Sequence, residues 1–92
     1  MLRTVTLCSE AEKQLLELPL NVQERVRKVQ EKLGLGDRVP MERIVSCPGF
    51  FRVRTGDYRI ILHYLGGGAI EIDQVFHRSR GYKKPLANLR GR

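Results

Sequence analysis

Apolar and polar residues alternate along the middle of the chain, and this pattern predicts a β-hairpin. Residues 51–55 and 58–62 each place an apolar residue or Thr at every second position, and Gly56-Asp57 separates them. Side chains alternate across a strand, and Gly takes the positive φ that a tight turn needs. A two-residue loop then sets Arg54 opposite Arg59. The apolar side chains share one face of this hairpin, and the other face carries Arg52, Arg54 and Arg59.

The N-terminal half has apolar residues at helical spacing. Residues 2–7 alternate weakly and predict a first strand. Ser9 and Glu12 have the spacing of a capping box that starts a helix, and Pro19 ends it. A second helix is expected from Asn21, which repeats that pattern with Glu24, to a stop at Gly34. The two helices have aliphatic stripes that predict packing on a sheet: Ala11, Leu15 and Leu18, then Val22, Val26, Val29 and Leu33.

Two further segments complete the predicted sheet. A short strand is expected over residues 43–46, and a second hairpin turns at residues 66–68. A three-residue loop there sets His63 opposite Glu71 and Arg59 opposite Val75, so that Phe76 joins the helix side and His77 the arginine side. The expected fold is α+β: two N-terminal helices packed on a twisted antiparallel sheet, with a short basic C-terminal tail. We expect one domain over residues 1–92.

The charge is unevenly distributed and indicates a polyanionic partner. The net charge is +7, of which residues 1–49 supply +1 and residues 50–92 supply +6. The last sixteen residues contain six basic side chains and no acidic one. A basic half joined to a near-neutral half most often binds nucleic acid. An anionic membrane is the weaker alternative, because no helix is both basic and strongly amphipathic.

The sequence has no pattern typical of a secreted, membrane-spanning or metal-binding protein. The chain has no apolar run long enough for a signal peptide or a membrane span, and Cys8 and Cys47 form no CxxC pair. These features predict a cytoplasmic protein with reduced thiols. His63 and His77 fall on neighbouring strands but roughly 20 Å apart at ~3.3 Å per residue. We therefore expect no metal and no other cofactor.

The pairing of Arg54 with Arg59 is unfavourable, because like charges directly opposite each other destabilise a sheet. One interpretation is a solvated basic face. The other, which we favour, is an anion site, since guanidinium groups match phosphate in charge and shape. Arginines beside a histidine and a tyrosine suit cleavage of a phosphate ester without a metal. If the substrate is RNA, its own 2′-OH is available as the nucleophile.

Each further candidate has two interpretations. His77 either transfers a proton or braces the turn after its strand. Tyr82 either transfers a proton through its hydroxyl or packs its ring on the edge of the sheet. Strict alternation puts Arg78 on the helix side, so it reaches the arginine side only if the strand bulges. Lys83 and Lys84 are candidates for general electrostatic contacts. An apolar stripe among the charges of the arginine side predicts cover by a partner; it consists of Ile61, Leu65 and Val75.

Two motifs resemble the RelE/ParE toxin superfamily. Residues 48–61, PGFFRVRTGDYRII, resemble its central PGxYRxRxGDYRIIY segment, and His77-Arg78 with Tyr82 is similar to its C-terminal GHRxxxY. Residues 9–33 resemble its N-terminal helical hairpin. Two departures stand out: Phe76 replaces the usual Gly and is more like ParE members, and arginines replace the lysines of some active RelE enzymes at positions 52 and 54.

The resemblance implies a toxin of a type II toxin–antitoxin system. RelE-like members cleave mRNA in the ribosomal A site and are neutralised by an antitoxin, here expected to be acidic and partly disordered. The implied catalytic residues are Arg59, Arg78, Tyr82 and His77, and the implied RNA-binding residues are Arg52 and Arg54, with Lys83 and Lys84. The alternatives are a ParE-like poison of DNA gyrase without RNase activity and a non-catalytic RNA-binding domain.

Overall fold

The strand that comes first in the sequence pairs with the strand that comes last. The strands of the hairpins form the rest of the sheet. The computed structural model describes residues 2–80, without the side chain of Arg80. The predictions for Tyr82, Lys83, Lys84 and the basic tail lie outside these residues. The elements are β1 (Val5–Leu7), α1 (Ser9–Leu16), α2 (Leu20–Leu35), β2 (Glu42–Arg43), β3 (Phe50–Thr55), β4 (Tyr58–Tyr64) and β5 (Ile70–His77). Short 3₁₀ turns follow β4 (Gly66–Gly68) and β5 (Arg78–Arg80).

The strand order of the sheet is β1-β5-β4-β3-β2. Strands β2 to β5 pair antiparallel, as the hairpins require, but β1 runs parallel to β5, with Val5 beside Ile70 and Leu7 beside Ile72. The prediction of an antiparallel sheet is therefore wrong at this edge. The two helices carry the chain across one face between β1 and the hairpins, and such a crossover allows parallel pairing. No helix among residues 2–80 has the length and apolar character needed to cross a membrane.

The two helices cover one face of the sheet, and the apolar stripes predicted for them form the main core. Ala11, Leu15 and Val26 are fully buried, and Leu33 is nearly so. They pack against the apolar side chains that the strands direct toward the helices. These are Val53, Ile60, Leu62, Ile70, Ile72 and Val75.

The helix ends differ from the predicted ones. Cys8, not Ser9, is the N-cap of α1, and its Sγ accepts a hydrogen bond from the N–H of Ala11 at 3.5 Å. The N–H of Cys8 donates to the carbonyl of Ile72, which holds the residue in extended backbone at the end of β1. α2 begins at Leu20 after Pro19, without a side-chain cap, so the predicted cap at Asn21 is wrong. Pro19 is the N-cap residue, with a ψ of 148°, and its carbonyl accepts a hydrogen bond from the N–H of Gln23 at 3.0 Å.

The second helix also runs past its predicted stop. Gly34 lies inside α2, and Gly36 ends the helix with a φ of 79°, a left-handed conformation that glycine adopts at little cost. Gly34 has another use, because its carbonyl accepts a hydrogen bond from the N–H of Arg3 at 2.7 Å. A Cβ on Gly34 would lie 3.4 Å from the carbonyl oxygen of Arg3, so the chain before β1 runs close to the helix at this point.

A β-bulge in β5 changes which side chains face the helices. His63 pairs with Glu71, as predicted, but Leu62 pairs with Ile72 and Ile61 with Gln74, so Asp73 is the extra residue. From there on the alternation is shifted by one position. Gln14 of α1 stabilises the bulge: its Oε1 accepts from the N–H of Val75 at 2.8 Å, and its Nε2 donates to Gln74 at 2.7 Å.

Three predicted placements are wrong because of this bulge. Val75, which was expected opposite Arg59, belongs to the helix-side core. Phe76, which was expected on the helix side, lies opposite Arg59 on the other face. His77 faces Tyr58 and therefore does not join the arginine side. The shift has a physical advantage, since it buries Val75 and Phe76 on opposite faces and leaves neither of these apolar side chains in water.

The face opposite the helices has a small core of its own. We call it the arginine face, after Arg52, Arg54 and Arg59. Ile61 and Phe76 are buried there, and two side chains pack on them: Ile44, which follows β2, and Phe50, the first residue of β3. The prediction of an exposed apolar stripe is therefore wrong for two of its residues. Ile61 is covered by Ile44 and Phe50, and Val75 faces the helices.

Candidate nucleic-acid interface

The arginine cluster is arranged as the alternation predicts. Arg54 lies directly opposite Arg59, and Arg52 lies opposite Ile61, in the hairpin of β3 and β4. The side chain of Arg54 is 55% exposed, whereas that of Arg52 is 19% exposed. The pairing of Arg54 with Arg59 brings two permanent charges of the same sign together on one face. Such a pair costs stability in a sheet, so packing alone does not account for it.

Glu42 is part of this cluster, although the sequence gives no local signal for its contact with the arginines. Its Oε2 lies 2.8 Å from Nη2 of Arg52, and its Oε1 lies 3.4 Å from Nη2 of Arg54. The short strand was expected at residues 43–46, whereas it is Glu42–Arg43 and pairs Glu42 with Arg52. One carboxylate is therefore held by two guanidinium groups. The three arginines of this face and Glu42 together have a net charge of +2.

The tip of the hairpin gathers two more arginines. Arg78 donates its backbone N–H to the carbonyl of Asp57 at 2.8 Å, and its Nε lies 3.4 Å from Oδ1 of Asp57. Gly56, at a φ of 60°, lies under Arg25 of α2, so that a Cβ on Gly56 would be 2.6 Å from Nη1 of Arg25. The bulge puts Phe76, the partner of Arg59, on the arginine face. Arg78 begins the 3₁₀ turn that follows β5, and its contacts with Asp57 bring it to the hairpin tip.

His77 lies on the other face, against Tyr58. Their ring centroids are 5.1 Å apart with the planes nearly perpendicular. Nδ1 of His77 accepts the backbone N–H of Ser79 at 3.1 Å and lies 2.8 Å from the Ser79 hydroxyl. These contacts fix the turn that carries Arg78, which favours the bracing interpretation. Near the ring is a 330 Å³ cleft lined partly by α1.

The far end of the arginine face is acidic. Nδ1 of His63 lies 2.6 Å from Oδ2 of Asp73, which is fully buried, and Nε2 lies 3.8 Å from Oε1 of Glu71. The predicted pairing of His63 with Glu71 is present, but the closer partner is the bulged Asp73. These three side chains place possible ligand atoms within 4.8 Å of one another. The expectation that no metal binds considered only the two histidines and left their acidic neighbours out.

Comparison with known proteins identifies the fold. No protein-family model matches the sequence, and no curated protein matches it either. Solved structures do match: a chain of the toxin–antitoxin complex RelBE2 from Mycobacterium tuberculosis is 26% identical, with a TM-score of 0.70, over 85% of this chain and 100% of that one.

Two further structures agree. The RelB–RelE complex from Methanococcus jannaschii gives a TM-score of 0.72 at 20% identity, over 86% of this chain and 96% of that one. A free E. coli RelE with two arginines replaced by alanine gives a TM-score of 0.75 at 14% identity, over 97% of this chain and 99% of that one. The chain thus has the RelE-like toxin fold, and the predicted resemblance to the RelE/ParE superfamily is confirmed at that level.

Proposed function

We propose that this protein is the toxin of a type II toxin–antitoxin system and acts as a ribosome-dependent mRNA endoribonuclease. The observation that carries the proposal is the convergence of Arg52 and Arg54 on a single carboxylate, beside Arg59. A carboxylate and a phosphate present similar oxygens to a guanidinium fork. An arrangement that binds two oxygens of Glu42 is thus suited to a phosphodiester, which would replace Glu42 when RNA binds.

In the proposed reaction the 2′-oxygen of the RNA attacks the adjacent phosphorus and the 5′-oxygen of the next nucleotide leaves. The products are a 2′,3′-cyclic phosphate and a free 5′-hydroxyl, so a proton leaves the 2′-OH and another reaches the departing oxygen. Arg59 and Arg78 stabilise the charge that accumulates on the phosphoryl oxygens. Arg52 and Arg54 hold the RNA backbone, to which Lys83 and Lys84 add further contacts.

Proton transfer in this proposal is assigned to Tyr82, on the strength of the family motif. His77 was predicted to share that role, but its contacts with Tyr58 and Ser79 support a different assignment. We assign it to positioning the segment that carries Arg78. The reaction as written needs no metal, because the nucleophile belongs to the substrate and the arginines supply the positive charge.

An antitoxin is the second proposed partner. The solved neighbours include toxins bound to RelB antitoxins. This chain has a positively charged cluster that an acidic, partly disordered segment would cover on folding against it. A short reading frame for an acidic protein beside this gene is expected. Expression of the chain alone should arrest growth, and co-expression of that neighbour should relieve the arrest.

Primer extension on a translated reporter mRNA, after induction of the protein, tests the enzymatic proposal. Discrete cuts within codons are expected from the wild type and not from Arg59→Ala. Arg38→Ala removes an exposed arginine from the segment between α2 and β2 and is the matched control, which should cleave as the wild type does. Intact mRNA together with trapped gyrase–DNA breaks would support the ParE-like alternative instead. RNA binding without cleavage or growth arrest would support the non-catalytic alternative.

The main sequence argument for a gyrase poison was Phe76, and packing now offers another explanation for that residue. Its side chain is 2% exposed and contacts Ile61 in the small core of the arginine face. A bulky apolar residue is useful at this position whatever the target of the protein. Phe76 therefore no longer favours gyrase over RNA.

A further inference from the structure

A histidine held between two carboxylates lies on the arginine face, at the end of β4 away from the hairpin tip. It lies four positions after Arg59 in β4, about 13 Å along an extended strand. We propose that His63 Nε2 and Glu71 Oε1 bind a transition-metal ion of the Zn²⁺ type, with Asp73 as the residue that positions the imidazole. The site is independent of the arginine cluster and of the proposed RNA chemistry.

Asp73 is too close to His63 for both to bind the same ion. Zinc bonds to nitrogen and oxygen are about 2.0–2.2 Å, so two ligands at the tetrahedral angle lie about 3.4 Å apart. The distance from Nδ1 of His63 to Oδ2 of Asp73 is 2.6 Å, which is that of a hydrogen bond. Asp73 therefore holds the proton of Nδ1 and leaves the lone pair of Nε2 available. Histidines that bind metals have this arrangement with a carboxylate in many proteins.

Glu71 is in the right place to be the second ligand. It lies directly opposite His63 in the register of β4 and β5, and its Oε1 is 3.8 Å from Nε2. A movement of a few tenths of an ångström closes that distance to about 3.4 Å. Its side chain is 30% exposed and can rotate by that amount. The His63 ring is more constrained, since the Phe50 ring lies against it with centroids 4.9 Å apart.

The charges and donor types favour a divalent transition metal. Two carboxylates surround the imidazole, so a cation is attracted to the site. A nitrogen donor beside an oxygen donor suits zinc better than magnesium or calcium, which prefer oxygen alone. With two protein ligands, water completes the coordination, and the affinity is modest. The ion would link β4 to β5 beside the bulge, where the regular pairing of the two strands is interrupted.

Thermal unfolding of the full-length chain provides the first test. Zn²⁺ should raise the Tm of the wild type, Mg²⁺ at the same concentration should not, and EDTA should reverse the effect. Glu71→Gln should weaken the apparent zinc affinity at least tenfold. Glu24→Gln makes the same charge change on the exposed side of α2 and is the matched control, which should bind zinc as the wild type does.

Imidazole ¹⁵N spectra with and without zinc provide the second test. The Nε2 resonance of His63 should move while those of His77 stay in place, and Asp73→Asn should weaken zinc binding by about 10–100-fold. The proposal is overturned if Glu71→Gln binds zinc as the wild type does, or if the zinc-dependent change in the spectra falls on His77 and not on His63. If Asp73→Asn fails to fold, the zinc affinities of Glu71→Gln and Glu24→Gln still show whether Glu71 binds the ion.

Discussion

The two ends of the arginine face carry opposite charges, although β4 runs through both. At the hairpin tip, Arg54 and Arg59 lie opposite each other, with Glu42 as an acidic partner from β2. At the other end, His63 lies between Asp73 and Glu71. At the acidic end, a histidine lies next to two carboxylates, so the contacts within the chain are favourable. The basic end brings like charges together at a cost in stability, which indicates a role in binding an anion.

The two ends therefore differ in what a substitution should do to RNA cleavage and to stability. Substitutions at the basic end should impair activity and leave stability intact or improved. Substitutions at the acidic end should lower stability and leave RNA cleavage largely unchanged. Four changes test that division, from the largest expected effect to the smallest.

Arg59→Ala is expected to have the largest effect on activity. Loss of one preorganised donor to the transition state usually costs about 10²–10³ in rate. The change also removes the repulsion from Arg54, so the Tm should stay the same or rise. Single-turnover cleavage and thermal unfolding measure the two properties. A large drop in Tm would mean that Arg59 is a structural residue, and the comparison between the two ends would fail.

Asp73→Asn should have the opposite profile. The carboxylate is fully buried and accepts a short hydrogen bond from His63. An amide of the same size weakens that bond and places a new donor in a buried site, which should cost about 1–3 kcal/mol. Chemical denaturation measures this loss in the absence of zinc. Cleavage below the unfolding transition should remain within a few-fold of the wild type.

The arginine pairing and the helix-side core could be predicted from the sequence, because both follow from local periodicity. Alternation and one Gly-Asp turn are enough to set Arg54 opposite Arg59. Heptad-like spacing is enough to give the buried face of α2. In each case the partner positions are a few residues apart in the sequence, so no long-range information is needed.

The bulge could not be predicted, and most of the errors come from it. The segment from Ile72 to Phe76 allows strict alternation, which would leave Gln74 among apolar side chains. The fold instead loops out Asp73 and supplies a hydrogen-bond partner from Gln14, sixty residues away. The pairing of β1 with β5 and the contact of Glu42 with Arg52 are also long-range. Periodicity carries no information about such pairings.

Glu42→Gln tests whether the glutamate competes with RNA for the arginines. Removing its charge should raise RNA affinity a few-fold, because Arg52 and Arg54 no longer need to exchange a carboxylate for a phosphate. Affinity should also fall more steeply with salt, by about 0.7 in the logarithmic slope for each added phosphate contact to single-stranded RNA. The ion pairs are partly exposed, so stability should change by less than about 1 kcal/mol. Unchanged or weaker RNA binding would contradict the competition.

His77→Gln should have the smallest effect and decides between bracing and proton transfer. Glutamine can still accept the N–H of Ser79 through its amide oxygen, but it cannot carry a proton at neutral pH. If His77 only positions the segment that bears Arg78, the variant should cleave within about tenfold of the wild type with the same pH profile. If His77 transfers a proton, the rate should fall by about 10²–10⁴, and one limb of the pH profile should disappear. Tyr82→Phe is the matched comparison, since the proposal assigns proton transfer to that hydroxyl. A larger loss in His77→Gln than in Tyr82→Phe would return His77 to the chemistry, despite its position against Tyr58.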